Sequence, residues 1–402
     1  MRVLAAPYLM LGRPEGAGEA PCLRGGAIAL DGEVVAAVGP RAEVEARYGP
    51  AEPVDAVLLP ALVNAHTHLE LSHLRGRIAG GEGLALFIEL LVAARAKEAR
   101  PDGALEEAML ELSEAGVAAL GEVTNTLAAL PELGRAGLSG SVYHEVFGFS
   151  SARIEAALVT ASDQRARAGR LPPGLVMAPS PHAVYSTHPR VLSSLLRAGP
   201  ASIHLAEHPE ERAFCARMEG PLASLMRALG AVGGAPLGRS PVAVAGPSLS
   251  PRSLVVHAVD LDEEDLEVLA RSGATVALCP RSNLHIGGCL PDLPRLMRRK
   301  IPLAVGTDSL ASSPSLSPLA ELSVLARAFP DLAPASLLPL AWNGPAVGAP
   351  AVGRLAPGRA AGVLAAPLGG ARPEDPAAWL LGTFGAAERP LTWIARHRPE
   401  GD

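Results

Sequence analysis

The chain has 402 residues and a formal net charge of -6 at pH 7. No stretch combines clustered Lys or Arg with aromatic residues, which excludes the basic surface of a nucleic-acid binder and favours a small-molecule substrate. The four cysteines show no CxxC pairing, so neither a disulfide framework nor a thiolate zinc site is indicated. Aromatic residues make up only 3% of the chain, so the core must be built from Ala, Val and Leu.

The N-terminus carries a short apolar run that ends at Arg13 without a small-residue cleavage site. We interpret it as a strand and expect a cytoplasmic protein. The most apolar helix-like stretch, residues 84–94, contains Glu89 and is too short to span a bilayer. No membrane partner is therefore expected.

Short strands are predicted first, at 3–11, 27–30 and 34–38, with a hairpin signal at Asp31-Gly32. From residue 57 the pattern changes to apolar runs separated by segments of helical periodicity. Eight strands are predicted from these runs, at 57–65, 116–123, 141–147, 175–179, 202–205, 253–257, 274–278 and 302–306. Helices are predicted between them, at 84–99, 103–115, 154–168, 209–218 and 262–272.

This alternation predicts an α/β fold, because apolar strands that alternate with helices form a parallel sheet covered on its outer face. Eight repeats allow the sheet to close into a (β/α)8 barrel of the TIM type. The chain after Gly344 returns to short strands punctuated by Gly and Pro. We therefore expect the barrel at 58–346 and an accessory β-sandwich domain formed by 1–57 and 347–402.

A candidate metal site begins at the end of the first barrel strand, where His66 and His68 point to the same side because side chains alternate along a strand. The pair alone could equally be two exposed or hydrogen-bonded histidines. His204, His257 and Asp308, however, also fall at the ends of predicted strands, where barrel enzymes place their catalytic groups. Imidazoles with one carboxylate fit Zn²⁺ or Fe²⁺ with a position left open for water.

The chain resembles the amidohydrolase superfamily, through the segments LPALVNAHTHLELS, SPHAVYST, HLAEHPEE, VVHAVDLDEEDLEVLA, CPRSNLHIG, GTDSLASSPSLS and GRLAPGRAAGVL. The resemblance implies one divalent metal, Zn²⁺ or Fe²⁺, held by His66, His68, His204 and Asp308. Many superfamily members bridge two metals with a lysine on the fourth strand, but no lysine lies between Lys97 and Lys300. A mononuclear site is expected, in which His257 orients or activates the water.

Glu207 completes an HxxE pattern shared with the aminohydrolase and chlorohydrolase branch. The resemblance implies that Glu207 protonates a ring nitrogen while hydroxide attacks the adjacent carbon and Asp308 takes the proton of the water. The alternative for Glu207 is a charge at a helix start. A barrel that binds metal or ligand without chemistry is disfavoured by the presence of both Glu207 and His257 beside the four ligands.

Within this branch the chain is most similar to the aminofutalosine deaminases, which remove the exocyclic amine of an adenine nucleoside-like intermediate of menaquinone biosynthesis. The expected substrate-binding residues are Glu70, Ser72, Arg75, His182 and Tyr185. Arg75 could meet a substrate carboxylate or form a surface ion pair, and Asn283 could support a loop or contact substrate. The other histidines are expected to be exposed or hydrogen-bonded.

Several alternatives remain in the same branch. They are deamination of S-adenosylhomocysteine, methylthioadenosine or adenosine, deamination of guanine, and ring dechlorination. A homodimer is an expectation drawn from enzymes of this kind.

Overall fold

The computed structural model describes residues 1–16, 18–97, 99–230 and 236–399. The strands are β1 Arg2–Met10, β2 Cys22–Asp31, β3 Val34–Pro40, β4 Glu52–Pro53, β5 Ala56–Pro60, β6 Leu62–Thr67, β7 Val117–Thr124, β8 Ser139–Val146, β9 Leu175–Pro181, β10 Ala201–Leu205, β11 Ser253–His257, β12 Thr275–Leu278, β13 Leu303–Val305, β14 Val363–Pro367 and β15 Thr392–Ala395.

The α-helices are α1 Arg41–Tyr48, α2 Leu84–Lys97, α3 Ala104–Glu114, α4 Leu130–Ala136, α5 Ser151–Ala168, α6 Pro189–Ala198, α7 Pro209–Arg217, α8 Gly220–Ala228, α9 Pro241–Ala245, α10 Glu263–Ser272, α11 Pro280–Gly287, α12 Leu293–Arg298, α13 Pro318–Ala328, α14 Pro334–Leu337 and α15 Pro376–Leu380. Shorter helical turns cover Leu69–Leu74, Gly246–Ser248, Leu338–Trp342, Gly344–Val347 and Leu381–Gly385. The helix predicted at 84–99 extends to Lys97, and residue 98 lies outside the described residues.

The eight predicted barrel strands correspond to β6 through β13. They form two parallel four-stranded sheets, in the orders β6-β7-β8-β9 and β10-β11-β12-β13. Backbone hydrogen bonds join the two sheets at both seams: His204 N donates to His182 O at 2.9 Å, and Thr307 N donates to His66 O at 2.9 Å. The strands thus close into the predicted barrel, and both seams run through candidate site residues.

The strand predicted at 57–65 was wrong as one element, because the structure divides it between two sheets. β5 pairs with β1 and β14 in the accessory sheet, whereas β6 pairs with β7 in the barrel. The division falls after Pro60, which has no backbone N–H to donate to a continuing ladder. Trp342 donates from its indole Nε1 to Pro60 O at 3.2 Å and so ties this junction to the barrel.

The accessory domain unites strands from both ends of the chain, as expected. By hydrogen bonding it is one continuous sheet in the order β15-β14-β5-β1-β2-β3, with β4 also paired to β1, where a sandwich was predicted. The sheet is continuous because β5 pairs with N-terminal β1 on one edge and with C-terminal β14 on the other. Apolar side chains from most of these strands share one buried cluster.

The helix predicted at 262–272 shows how local sequence sets an element's ends. Asp262 accepts a hydrogen bond from Asp265 N at 2.9 Å, and the Asp265 carboxylate accepts one from Asp262 N at 3.3 Å, which forms a capping box. Gly273 ends the helix with a φ of 67°. The helix α10 therefore starts and stops where its capping residues lie.

Among the described residues, no helix has the length and apolar character needed to cross a membrane.

Candidate active site

Three histidines meet at the mouth of the barrel. His66 lies on β6, His68 directly follows the end of that strand, and His204 lies on β10 on the opposite side of the barrel. One ring nitrogen of each lies within 4.8 Å of the others, and Nε2 of His68 is 3.3 Å from Nε2 of His204. The period-2 argument therefore predicted correctly that His66 and His68 converge, and the structure brings His204 to them.

Asp308, Glu207 and His257 form a second group at the same place, again with ligand atoms within 4.8 Å of one another. Asp308 Oδ1 lies 3.6 Å from Nε2 of both His66 and His68. His257 and Asp308 adopt left-handed backbone conformations, with φ of 78° and 56°. Non-glycine residues in this region carry strain, which is concentrated at functional sites.

The buried imidazoles of this cluster are held neutral. Burial lowers the pKa of His66 and His68, and it lowers the pKa of His204 to about 4. Burial opposes ionisation of Asp308, but the neighbouring imidazoles hold the pKa of its carboxyl well below the usual range. The cluster thus presents uncharged imidazole nitrogens and one carboxylate, which are the protonation states that bind a divalent metal.

Neighbouring groups fix the orientation of these side chains. His204 Nδ1 pairs with His182 O at 3.0 Å, which leaves Nε2 to face the other histidines. The hydroxyl of Ser282 donates to Asp308 Oδ2 at 2.6 Å. Asn283 Nδ2 lies 3.0 Å from His257 Nδ1, so this asparagine contacts a site histidine. Such outer contacts set the ring orientation and tautomer of metal ligands.

The donor set fits Zn²⁺ or Fe²⁺. Both ring nitrogens of His66 are buried, and neither has a hydrogen-bond partner within the part of the chain that the structure describes. A buried polar atom without a partner costs free energy unless a ligand satisfies it. His66, His68, His204 and Asp308 could therefore hold one such metal, since imidazole and carboxylate are the ligands these metals take.

Glu207 is buried beside this cluster, with its Oε1 3.5 Å from His257 Nε2. Burial raises the pKa of Glu207 well above the usual value, and the nearby carboxylates of Asp308 and Glu211 raise it further. Its backbone N–H donates to Glu211 Oε2 at 3.0 Å. Burial therefore favours the protonated form of Glu207, which is the form that can donate a proton.

A cavity of about 730 Å³ opens from the cluster. Two of the expected substrate-binding residues, His182 and Tyr185, line it together with His68, His204, His257, Glu207 and Asp308. Its remaining wall is mostly apolar, with side chains from α2, α5 and α8. The cavity can hold a ligand that is larger than a purine base.

The other three expected contacts do not line this cavity. Arg75 is exposed and pairs with Glu111, which agrees with the ion-pair interpretation, whereas contact with a substrate carboxylate stays a prediction. Glu70 is buried and accepts hydrogen bonds from Thr124 Oγ1 at 2.8 Å and Thr126 Oγ1 at 2.7 Å, which use its carboxylate. Ser72 is buried in the turn Leu69–Leu74, away from the cavity.

Sequence reasoning missed the cavity residues Arg95, Asn125, Glu145 and Arg153. Glu145 and Asn125 follow the same rule as the metal-site residues, since they lie at or just after the ends of β8 and β7. That position was the available signal, although neither residue belongs to a recognisable motif. Arg95 and Arg153 lie on helices, where an isolated Arg gives no such signal.

A model described as the amidohydrolase family matches residues 57–366 of the chain. A 5-methylthioadenosine/S-adenosylhomocysteine deaminase of Nitratidesulfovibrio vulgaris strain Miyazaki F is 32% identical over 315 residues, which cover 74% of this chain and 67% of the relative. An aminodeoxyfutalosine deaminase of Deinococcus radiodurans is 31% identical over 349 residues, which cover 79% of this chain and 80% of the relative.

Solved structures show the same fold. Aminofutalosine deaminase of Helicobacter pylori in complex with methylthio-coformycin matches with a TM-score of 0.81 and 22% identity, over 97% of each chain. An adenosine deaminase of Xanthomonas campestris with bound zinc matches with a TM-score of 0.75 and 23% identity, over 100% of this chain and 94% of that one. At these identities the likeness concerns the fold alone.

Proposed function

The chain belongs to the amidohydrolase family, and from this premise we propose that it removes the exocyclic amine of aminofutalosine as ammonia and leaves futalosine. The family and the deaminase relatives make it a hydrolytic deaminase of nucleoside-like compounds. The observation that carries the chemistry is the position of Glu207, a buried carboxyl group whose pKa is raised by burial, beside His257 and the histidine cluster. Such a carboxyl is the acid that deamination of a purine ring requires.

The reaction needs a divalent metal, for which His66, His68, His204 and Asp308 are the proposed ligands. When bound, the metal supplies Lewis-acid activation of the water that adds to the ring carbon. His257 Nε2, which lies beside Glu207 and Asp308, would orient that water. Asp308 Oδ1 holds the proton that the water gives up.

Glu207 supplies the second proton transfer. Its carboxyl donates to the ring nitrogen beside the carbon under attack, which prevents negative charge from accumulating on the ring. The proton held by Asp308 then goes to the exocyclic nitrogen, which leaves as ammonia while the carbon becomes a carbonyl. The hydroxyl group on that carbon gives up its proton as the carbonyl forms, and this proton returns to Glu207. The ring nitrogen keeps the proton it received, and both carboxyl groups are back in their starting states.

The shape and charge of the cavity support aminofutalosine over smaller nucleosides. The wall beyond the histidines is mostly apolar and includes Phe87, Phe147 and Phe149. Arg153 lines the same cavity, is exposed, and makes no side-chain ion pair or hydrogen bond with the described residues. An apolar wall with an unpaired guanidinium suits the benzoate at the far end of aminofutalosine. Methylthioadenosine has no such anion.

The test is the rate of ammonia release from aminofutalosine, methylthioadenosine, S-adenosylhomocysteine and adenosine, using metal-loaded protein. We expect the highest kcat/KM for aminofutalosine. Arg153→Ala should lower that value by about tenfold, the loss of one charge-assisted hydrogen bond, and leave methylthioadenosine unaffected. Arg167→Ala, which changes another exposed arginine of α5, is the control.

Two other outcomes would overturn different parts of the proposal. A higher kcat/KM for one of the other nucleosides would overturn the substrate and keep the deaminase. The methylthioadenosine/S-adenosylhomocysteine deaminase relative makes those two compounds the second candidates. Release of ammonia from none of them would overturn the deaminase assignment itself.

A further inference from the structure

Glu145 is a buried carboxylate in the cavity that the proposed chemistry does not use. It is the last residue but one of β8, and its side chain is only 6% exposed. It lines the cavity together with His182 and His204. The three residues bring ligand atoms within 4.8 Å of one another.

One oxygen of this carboxylate has its partner within the protein. Asn125 Nδ2 donates to Glu145 Oε2 at 3.0 Å. The amide orientation is fixed from the other side, because Arg95 Nη1 donates to Asn125 Oδ1 at 3.2 Å, and Arg95 is itself paired with Glu70 at 3.3 Å. A chain of polar contacts therefore runs from Glu70 to Glu145 and gives Glu70 a supporting role behind the cavity wall.

The other oxygen is left open. Glu145 Oε1 is buried and has no hydrogen-bond partner among the residues described. The nearest ring nitrogen, His204 Nδ1, is 3.7 Å away and already pairs with His182 O at 3.0 Å. A buried carboxylate oxygen without a donor costs free energy. Since Glu145 lines the cavity, a ligand there can supply the donor.

The position of Glu145 identifies which part of a nucleoside would supply that donor. His204 faces the other metal-site histidines with Nε2 and faces Glu145 with Nδ1. Glu145 is therefore separated from the reacting centre by one imidazole ring. A purine that reacts at the histidine cluster carries its sugar on the ring away from the reacting carbon, so a cavity residue beyond His204 can meet the sugar. A carboxylate is also the group that commonly accepts a hydrogen bond from a ribose 2′-hydroxyl.

We propose that Glu145 accepts hydrogen bonds from the ribose hydroxyls of the substrate and so makes the enzyme selective for ribonucleosides. This inference rests on the proposed function, because it assumes that a purine nucleoside occupies the cavity. The competing role is structural: Glu145 could only orient His204 through Nδ1. The two roles differ in what they would do to sugar selectivity and to metal content.

The experiment compares adenosine with 2′-deoxyadenosine in the wild type and in Glu145→Gln, with metal content measured for both proteins. Gln preserves the size of the side chain but removes its charge. We expect the wild type to favour adenosine in kcat/KM by about 10- to 100-fold, as a hydrogen bond to a charged group does, and the variant to lose most of that preference. The control is Glu155→Gln, at an exposed site on α5.

Binding gives the same comparison without turnover. Calorimetry with inosine and 2′-deoxyinosine should show the same preference in the wild type and its loss in Glu145→Gln. Equal kcat/KM values and equal affinities for the ribonucleoside and the deoxyribonucleoside in the wild type would overturn the inference, even if both nucleosides are deaminated. It would also be overturned if Glu145→Gln kept the preference while losing metal, since Glu145 would then act on His204. Failure of the proposed function would differ, because no ammonia would then be released from aminofutalosine or from either nucleoside.

Discussion

Glu207 and Glu211 place two carboxyl groups together in the interior, and only Glu207 faces the histidine cluster. Replacing Glu207 with Gln preserves its volume and removes the proton it can donate. We expect Glu207→Gln to bind metal normally and to lower kcat by about 10²- to 10⁴-fold, the usual contribution of a general acid. Steady-state kinetics on metal-analysed protein measures both quantities.

The matched control for that variant is Glu219→Gln, since Glu219 is exposed on the surface and pairs with Arg217. It should have wild-type kinetics. Wild-type turnover by Glu207→Gln would show that Glu207 is not the acid.

At the scale of single residues, the sequence located the groups whose positions follow from strand ends. His66, His68 and His204 could be predicted because parallel strands bring their carboxyl ends to one rim. The surroundings of Arg75 could not be predicted in this way. Arg75 follows the short turn Leu69–Leu74, and nothing in its sequence neighbourhood reveals that its partner is Glu111, from a distant helix.

The seam between β13 and β6 depends on a close approach at Gly306. A Cβ at this position would lie 2.7 Å from the Cβ and the backbone nitrogen of His66, both of which belong to the rigid strand. We expect Gly306→Ala to lower the free energy of unfolding by about 1–3 kcal/mol, as overpacking does, and to weaken metal binding because His66 must shift. Chemical denaturation and metal analysis measure the two effects.

Gly39→Ala is the control, because Gly39 also lies in a strand and a Cβ there meets nothing within 4 Å. It should change neither the free energy of unfolding nor the metal content. Unaltered stability and metal content in Gly306→Ala would show that the seam is more tolerant than this geometry implies.

At the scale of elements, periodicity was sufficient for the barrel strands β7 to β13, because each is a mostly buried run between helical segments. It was insufficient for the junction at Pro60. Residues 56–67 are buried and mostly apolar throughout, so the pattern contains nothing that distinguishes β5 from β6. Their separation depends on which strands they pair with, β14 and β7, and that is decided by the rest of the chain.

At the scale of the whole molecule, buried neutral carboxyl groups should make stability depend on pH. Burial raises the pKa of Glu321 to about 8, although Arg281 N donates to its carboxyl at 2.8 Å. The folded chain then retains a proton that the unfolded chain releases, so stability is full below the unfolded pKa and is lost as pH rises toward 8. We expect the free energy of unfolding to fall by about 2 kcal/mol for this group between about pH 6 and pH 8.

Urea denaturation at the two pH values measures this dependence. Glu321→Gln carries no titrating proton at this position, so its free energy of unfolding should fall less between the two pH values than that of the wild type. Glu267→Gln, at an exposed carboxyl paired with Arg271, should retain the full decrease. An equal decrease in Glu321→Gln and wild type would show that Glu321 is ionised in the folded state.

The union of both chain ends in one accessory domain could be predicted from the return of short strands after Gly344. Its continuity as a single sheet could not, because that depends on β5 pairing on both edges. In the same way, the predicted barrel indicates where the site lies but not which residues line the outer part of its cavity. Arg153 and Glu145 meet in one cavity only because α5 packs beside β8.

The most direct test of the central claim is to titrate metal-free protein with Zn²⁺ or Fe²⁺ while measuring ammonia release from aminofutalosine. Activity should rise in proportion to added metal and stop rising at one ion per chain, and His66→Ala should bind little metal and remain inactive. Full activity without metal, or a requirement for two ions per chain, would contradict a single metal centre built from these histidines and Asp308.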